Sequence, residues 1–144
     1  MADSTFSVVA HSESATKTIV KARNFSMIID EPAELGGTDE GANPVEYVLA
    51  ALSGCLNVMC HLVAQEMSIR LKGVKINLSG ELNPDKLFGK KTDDRAGYKS
   101  IRVEVDPDTD ADKAPLEKWL QAVVARCPVS DNLANTTPVN ISLA

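Results

Sequence analysis

Three cysteines, Cys55, Cys60 and Cys127, are the residues of this chain best suited to chemistry. Cys55 and Cys60 lie in NPVEYVLAALSGCLNVMCHL, a run that is apolar nearly throughout, and Cys127 lies in Arg126-Cys127-Pro128. A cysteine does redox or nucleophilic work as its thiolate. A nearby cation or the free N–H groups at a helix start favour that form. Cys127 has both in prospect: Arg126 precedes it, and it can cap a short helix opened by Pro128. It also extends the apolar stripe of Leu116, Leu120 and Val123, so burial competes with chemistry there and local sequence leaves both open. Free cysteine packs well as a small hydrophobe. Packing is therefore a competing reading for Cys55 and the stronger one for Cys60.

Helix geometry separates the first two thiols. At about 100° per residue, Cys55 falls roughly 180° around from Glu46, and Cys60 falls roughly 40° from Glu46 on the other side. Glu46, Ser53, Asn57 and His61 make a loose polar stripe, and Cys60 falls near it. Divergent side chains in one straight helix disfavour a Cys55–Cys60 disulfide. A partner for Cys55 has to come from elsewhere, and Cys127 is the other thiol. A zinc site is not expected, because the Cys55 and Cys60 side chains diverge on one helix and His11 is the one histidine besides His61. Gly36-Gly37 lacks the lysine of a phosphate loop, and no Ser-His-Asp arrangement is visible.

The elements that must position these thiols follow from periodicity. Short strands are expected at Phe6–Ala10, Thr18–Ala22 and around Phe25, Met27 and Ile29. A turn-rich stretch, residues 30–43, holds Pro32, Gly36, Gly37 and Gly41 and can continue no regular structure. Asn43 suits a helix N-cap and Pro44 the first helical position, so the central helix starts there. Val74, Ile76, Leu78 and Leu82 alternate with polar residues, as do Ile101, Val103 and Val105, giving strands with one wet face. The charged connection 84–99 reads as a solvated hairpin loop. A second helix runs from about Asp112 to Arg126 with Leu116, Trp119, Leu120 and Val123 on one face. A short helix then continues through Leu133, and a last strand is expected at Val139, Ile141 and Leu143.

This order predicts one α+β domain over residues 1–144, with an antiparallel sheet packed on a long central apolar helix and a second helix. The central helix carries apolar residues around most of its circumference, and such a helix must be buried nearly all round. One small sheet covers one side, so an obligate homodimer is expected.

Bulk composition narrows the functional classes. The chain has 144 residues, 44% of them hydrophobic, with 15 basic against 20 acidic side chains for a net charge of −5. That balance argues against nucleic acid or an anionic membrane as partner. No secretory leader is recognisable at the start, and Ser53, Gly54, Asn57 and His61 interrupt the apolar run, which disfavours a membrane span. An odd cysteine count without a secretory context points to free thiols and a cytoplasmic protein.

Two separated motifs carry a resemblance. DEPAELGGTDEGANPVEYVLAALSGCL (30–56), with its GG-x-D-x-G-x-NP-x-E-x-x-x-A-A-x-x-x-C pattern, and RCPVSDNL (126–133) together resemble the OsmC/Ohr superfamily of thiol-dependent hydroperoxide reductases. The resemblance spans most of the chain. It implies an α+β fold, an intertwined homodimer and two sites at the dimer interface. It further implies that Cys55 is the thiolate attacking an organic hydroperoxide. Cys127 then resolves the sulfenic acid into a disulfide, and an external thiol or dithiol restores the enzyme. No metal or organic cofactor is implied. In the hydroperoxide-reductase branch a glutamate directly follows NP and holds an arginine near the thiol. Here Val45 stands at that place with Glu46 next, and the nearest arginine of the first hairpin is Arg23. The pattern is closer to the less characterised OsmC-like members. Two functions are expected from this: a cysteine peroxidase in oxidative stress defence, with Arg23 and Glu46 as candidate electrostatic support, or a dimer of the same fold that binds small hydrophobic ligands with little turnover.

Overall fold

Local hydrogen bonds set the first sheet. In the computed structural model, which describes residues 1–144, Glu13 N–H and Ser14 N–H both donate to the Lys17 carbonyl. The Ser14 hydroxyl oxygen accepts from the N–H groups of Thr16 and Lys17. This turn pairs β1 (Val9–Ser12) with β2 (Thr18–Ala22), and β3 (Phe25–Ile29) pairs antiparallel on the other side of β2. The turn also moves the first strand: pairing begins at Val9 opposite Lys21, so Phe6 lies outside it and is fully exposed.

The loop after β3 is organised by one buried carboxylate. Asp30, with no solvent exposure, accepts from Thr16 Oγ1 (2.9 Å), Thr38 Oγ1 (2.5 Å), Glu31 N–H (2.8 Å) and Glu40 N–H (3.2 Å). These bonds, the Thr38 one foremost, hold the Asp30 carboxyl well below the usual carboxylate range despite its burial. Gly36 adopts φ 87°, where a side chain would be strained. At Gly37 an added Cβ would run into the Glu31 carbonyl, so the loop can close back on itself only with glycine there. The loop delivers the chain to Asn43, where the central helix α1 (Pro44–Glu66) begins. Asn43 and Glu46 form a reciprocal cap: Asn43 Oδ1 accepts from Glu46 N–H, and Glu46 Oε2 accepts from Asn43 N–H.

The chain divides into two units, Met1–Val48 and Leu49–Ala144, with the boundary inside α1. The second unit adds β4 (Gly73–Glu81) paired antiparallel with β5 (Ser100–Asp108), then α2 (Lys113–Arg126) and α3 (Pro128–Ala134). The alternation expected of β4 and β5 is present. Ile76 pairs with Val105 and Leu78 with Val103, turning their apolar side chains to the core while Lys75, Asn77 and Ser79 stay exposed. Leu52, Leu56, Met59, Cys60, Val63 and Ala64 of α1 form that core with Trp119, Val123 and Cys127. By length and hydropathy alone α1 would also pass as a membrane span, a test that the core helix of a globular domain meets as well. Its buried face packs in this core.

Within the single chain α1 keeps part of its apolar circumference open, as expected of a helix that one small sheet covers on one side: Val58 is 63% and Leu62 41% exposed. One expectation fails, that of the last strand. Residues 136–144 form no regular structure, and Val139, Ile141 and Leu143 are exposed. A strand needs a hydrogen-bonding edge, and this segment pairs with none of β1–β5.

Candidate active site

The second unit brings two of the three cysteines face to face. Cys55 lies on α1 at the edge of its buried face, half-exposed, and Cys127 lies between α2 and α3, 1% exposed. Their sulfurs are 3.1 Å apart across 72 residues of sequence. Each cysteine carries a free thiol.

Pro128 positions the second sulfur. It ends α2 and opens α3, which makes Cys127 the cap residue at the start of α3. Its Sγ accepts from the Ser130 N–H at 3.4 Å. Cys55 meets the same helix start, since the Val129 N–H is directed at its sulfur. Burial pushes the Cys55 thiol up, the Cys127 thiol acts the same way, and the Val129 N–H opposes them, with a raised value as the net result.

Cys60 has a different setting. It is wholly buried, and burial first and the neighbouring Cys127 second push its thiol up to about 11. Its backbone carbonyl accepts from Trp119 Nε1 at 2.9 Å, which ties α2 to α1 through the core. Oxidants in solvent have no direct path to this sulfur.

The charged residues singled out in the sequence have other partners. Glu46 is engaged in the cap with Asn43. Arg23 sits at φ 54° in the tight β2–β3 turn, with its guanidinium 5.1 Å from the Phe25 ring centroid. Both belong to the first unit. Arg126, expected beside Cys127, is held in a two-bond fork by Glu66, at 2.6 and 3.1 Å. Sequence reasoning missed Glu66 and the Val129 N–H. Glu66 ends the apolar helix with nothing local to pair it with Arg126, 60 residues away. The Val129 contact was implicit in any cap at Cys127 but depends on where α1 lies. No cluster of His, Cys, Asp and Glu has metal-binding geometry.

Chemically, the arrangement suits thiol–disulfide redox. A disulfide bond is about 2.05 Å long, so closure requires the sulfurs to approach by about 1 Å. Leu52, Leu56 and Val129 keep the surroundings apolar.

Comparison with known proteins matches this fold. The family model described as OsmC-like protein covers residues 37–142. The chain is similar to the crystal structure of an OsmC-like protein from Mycoplasma pneumoniae, with TM-score 0.81 and 18% identity over 94% of this chain and 91% of that one. It is similar to an organic hydroperoxide resistance protein OsmC from Legionella pneumophila, with TM-score 0.69 and 19% identity over 92% and 91%. A third is the organic hydroperoxide resistance protein OhrB of Bacillus subtilis, with TM-score 0.64 and 22% identity over 92% of each chain. No curated protein sequence matches. At these identities the structures speak for the fold.

Proposed function

We propose, from the premise that this chain belongs to the OsmC-like protein family, that its facing thiols form a hydroperoxide-reducing couple. The observation that carries the reading is the 3.1 Å approach of Cys55 Sγ and Cys127 Sγ in an apolar setting. Cys55, the half-exposed thiol, attacks the hydroperoxide as its thiolate. Cys127 condenses with the resulting sulfenic acid before further oxidation destroys it. An external thiol or dithiol then reduces the disulfide. The apolar lining favours organic over inorganic peroxides, and similarity to two organic hydroperoxide resistance proteins supports that class.

In this reading the active form is a cytoplasmic homodimer. The exposed Val58 and Leu62 on α1 and the alternating Val139, Ile141 and Leu143 of the C-terminal segment support a second copy as their cover. Three free thiols support a reducing compartment. The second reading is a ligand-binding dimer with weak turnover. It is favoured by one observation: Arg23, Glu46 and Arg126, the charged groups expected to serve the thiols, hold Phe25, Asn43 and Glu66 instead.

The test is to treat reduced protein with a slight excess of cumene hydroperoxide, then map disulfides after digestion without reductant. A Cys55–Cys127 link formed within seconds is expected. Thiols that stay free, or link only over hours, would sink the peroxidase reading and leave the binding one.

A further inference from the structure

Glu66 and Arg126 are the last residues of α1 and α2. Arg126 Nη1 donates to Glu66 Oε2 at 2.6 Å and Nη2 to Oε1 at 3.1 Å. The guanidinium draws the Glu66 carboxyl below its usual range, and the carboxylate raises Arg126. Both side chains are nearly half exposed, at 49% and 43%. Exposed ion pairs add little to global stability, but a two-bond fork fixes direction as well as distance. That direction matters because Cys127 is the residue after Arg126, and Cys55 lies on the helix that ends in Glu66. The fork joins the two thiol-bearing segments one residue away from the buried sulfur.

We infer that Glu66 and Arg126 are positioning residues, a clamp that holds Cys127 Sγ against Cys55 Sγ and sets the rate of disulfide closure. The inference rests on the hydroperoxide-reducing reading. In the first step the Cys55 thiolate attacks the terminal peroxide oxygen. An S–O bond forms, the O–O bond breaks, and the alkoxide leaves and takes a proton as the alcohol. The sulfur is oxidised by two electrons to the sulfenic acid and the peroxide is reduced. In the second step Cys127 sulfur attacks Cys55 sulfur. The S–S bond forms, the S–O bond breaks, and hydroxide leaves with the Cys127 proton as water. Only the second step requires the two sulfurs to meet, so only that step depends on the clamp.

Rapid mixing of the full reduced chain with an equivalent of cumene hydroperoxide separates the steps. Loss of hydroperoxide reports the first. The second is read by mass, as disulfide formed against sulfenic acid captured by a cyclic 1,3-diketone. Misplacement by about 1 Å can slow an oriented reaction roughly 100-fold, and core packing also holds Cys127, so Glu66→Gln is expected to slow closure about tenfold. Diketone capture rises in step, with hydroperoxide loss unchanged. Arg126→Lys keeps the charge without the fork and gives an intermediate rate. Raising salt to about 1 M screens the exposed pair and slows closure in the unmodified chain. The clamp is overturned if Glu66→Gln and Arg126→Lys close as fast as the unmodified chain, or if both steps slow together. If Glu66→Gln unfolds, Arg126→Lys and the salt series decide. An unmodified chain that forms no Cys55–Cys127 link overturns the underlying reading as well, which marks that failure apart from failure of the clamp.

Discussion

On α1, half-exposed Cys55 faces a second sulfur at 3.1 Å and the Val129 N–H. Five positions on, Cys60 is wholly buried, its thiol is pushed up to about 11, and its carbonyl is held by Trp119. The residue type, the helix and the core are common to both. What differs is access from solvent and a second thiol to receive the oxidised product. Burial alone makes a cysteine a packing group. A position at the edge of a core, opposite another sulfur, makes it a candidate for two-electron redox chemistry.

The contrast breaks most sharply if Cys55→Ser retains activity. Removing an attacking nucleophile is expected to lower hydroperoxide consumption on the order of 10³-fold or more. A steady-state assay with a thiol reductant measures it, and near-normal turnover would move the chemistry to another thiol. Next comes pH. Because Cys55 is raised above its ordinary 9.0, its thiolate fraction grows as pH rises. The second-order rate with hydroperoxide should climb roughly tenfold per unit through the neutral range. A plateau well below pH 9 would show that a cation reaches Cys55 in the active assembly.

Smaller effects lie on the Cys60 side. Trp119→Phe removes the donor to the Cys60 carbonyl and some core volume, with an expected loss of about 2 kcal/mol by denaturant unfolding. Turnover per folded molecule should be unchanged. Smallest is Cys60→Ala, at about 1 kcal/mol, with the Cys55–Cys127 link still found on disulfide mapping. Loss of that link in Cys60→Ala would erase the distinction between the two thiols.

Legibility in the sequence followed the range of the interaction. The start of α1 was readable at Asn43-Pro44 because a cap is local, and the β4 and β5 faces were readable from strict alternation. Residues Phe6–Ala10 misled by their strand-like composition, because the strand position is set by the Ser14 turn rather than by the strand itself. Val139, Ile141 and Leu143 have a strand pattern but no edge within the chain. Pattern reports what a segment prefers, not whether a partner strand exists. The fork between Glu66 and Arg126 was illegible for a similar reason, as two exposed charges far apart in sequence carry no mark of each other.

Pro128 has one more consequence. It has no N–H, so the first donors of α3 are those of Val129, Ser130 and Asp131. They go to the Cys55 sulfur, the Cys127 sulfur and the Cys127 carbonyl. Each sulfur thus has its own amide. Linking the two sulfurs ends their capacity to carry negative charge and weakens both as acceptors, whereas the carbonyl is unaffected. The first turn of α3 then becomes a redox indicator at single-residue resolution. Amide hydrogen exchange should quicken at Val129 and Ser130 on oxidation while Asp131 keeps its protection. Equal change at all three would mean that the whole turn frays rather than that two bonds weaken.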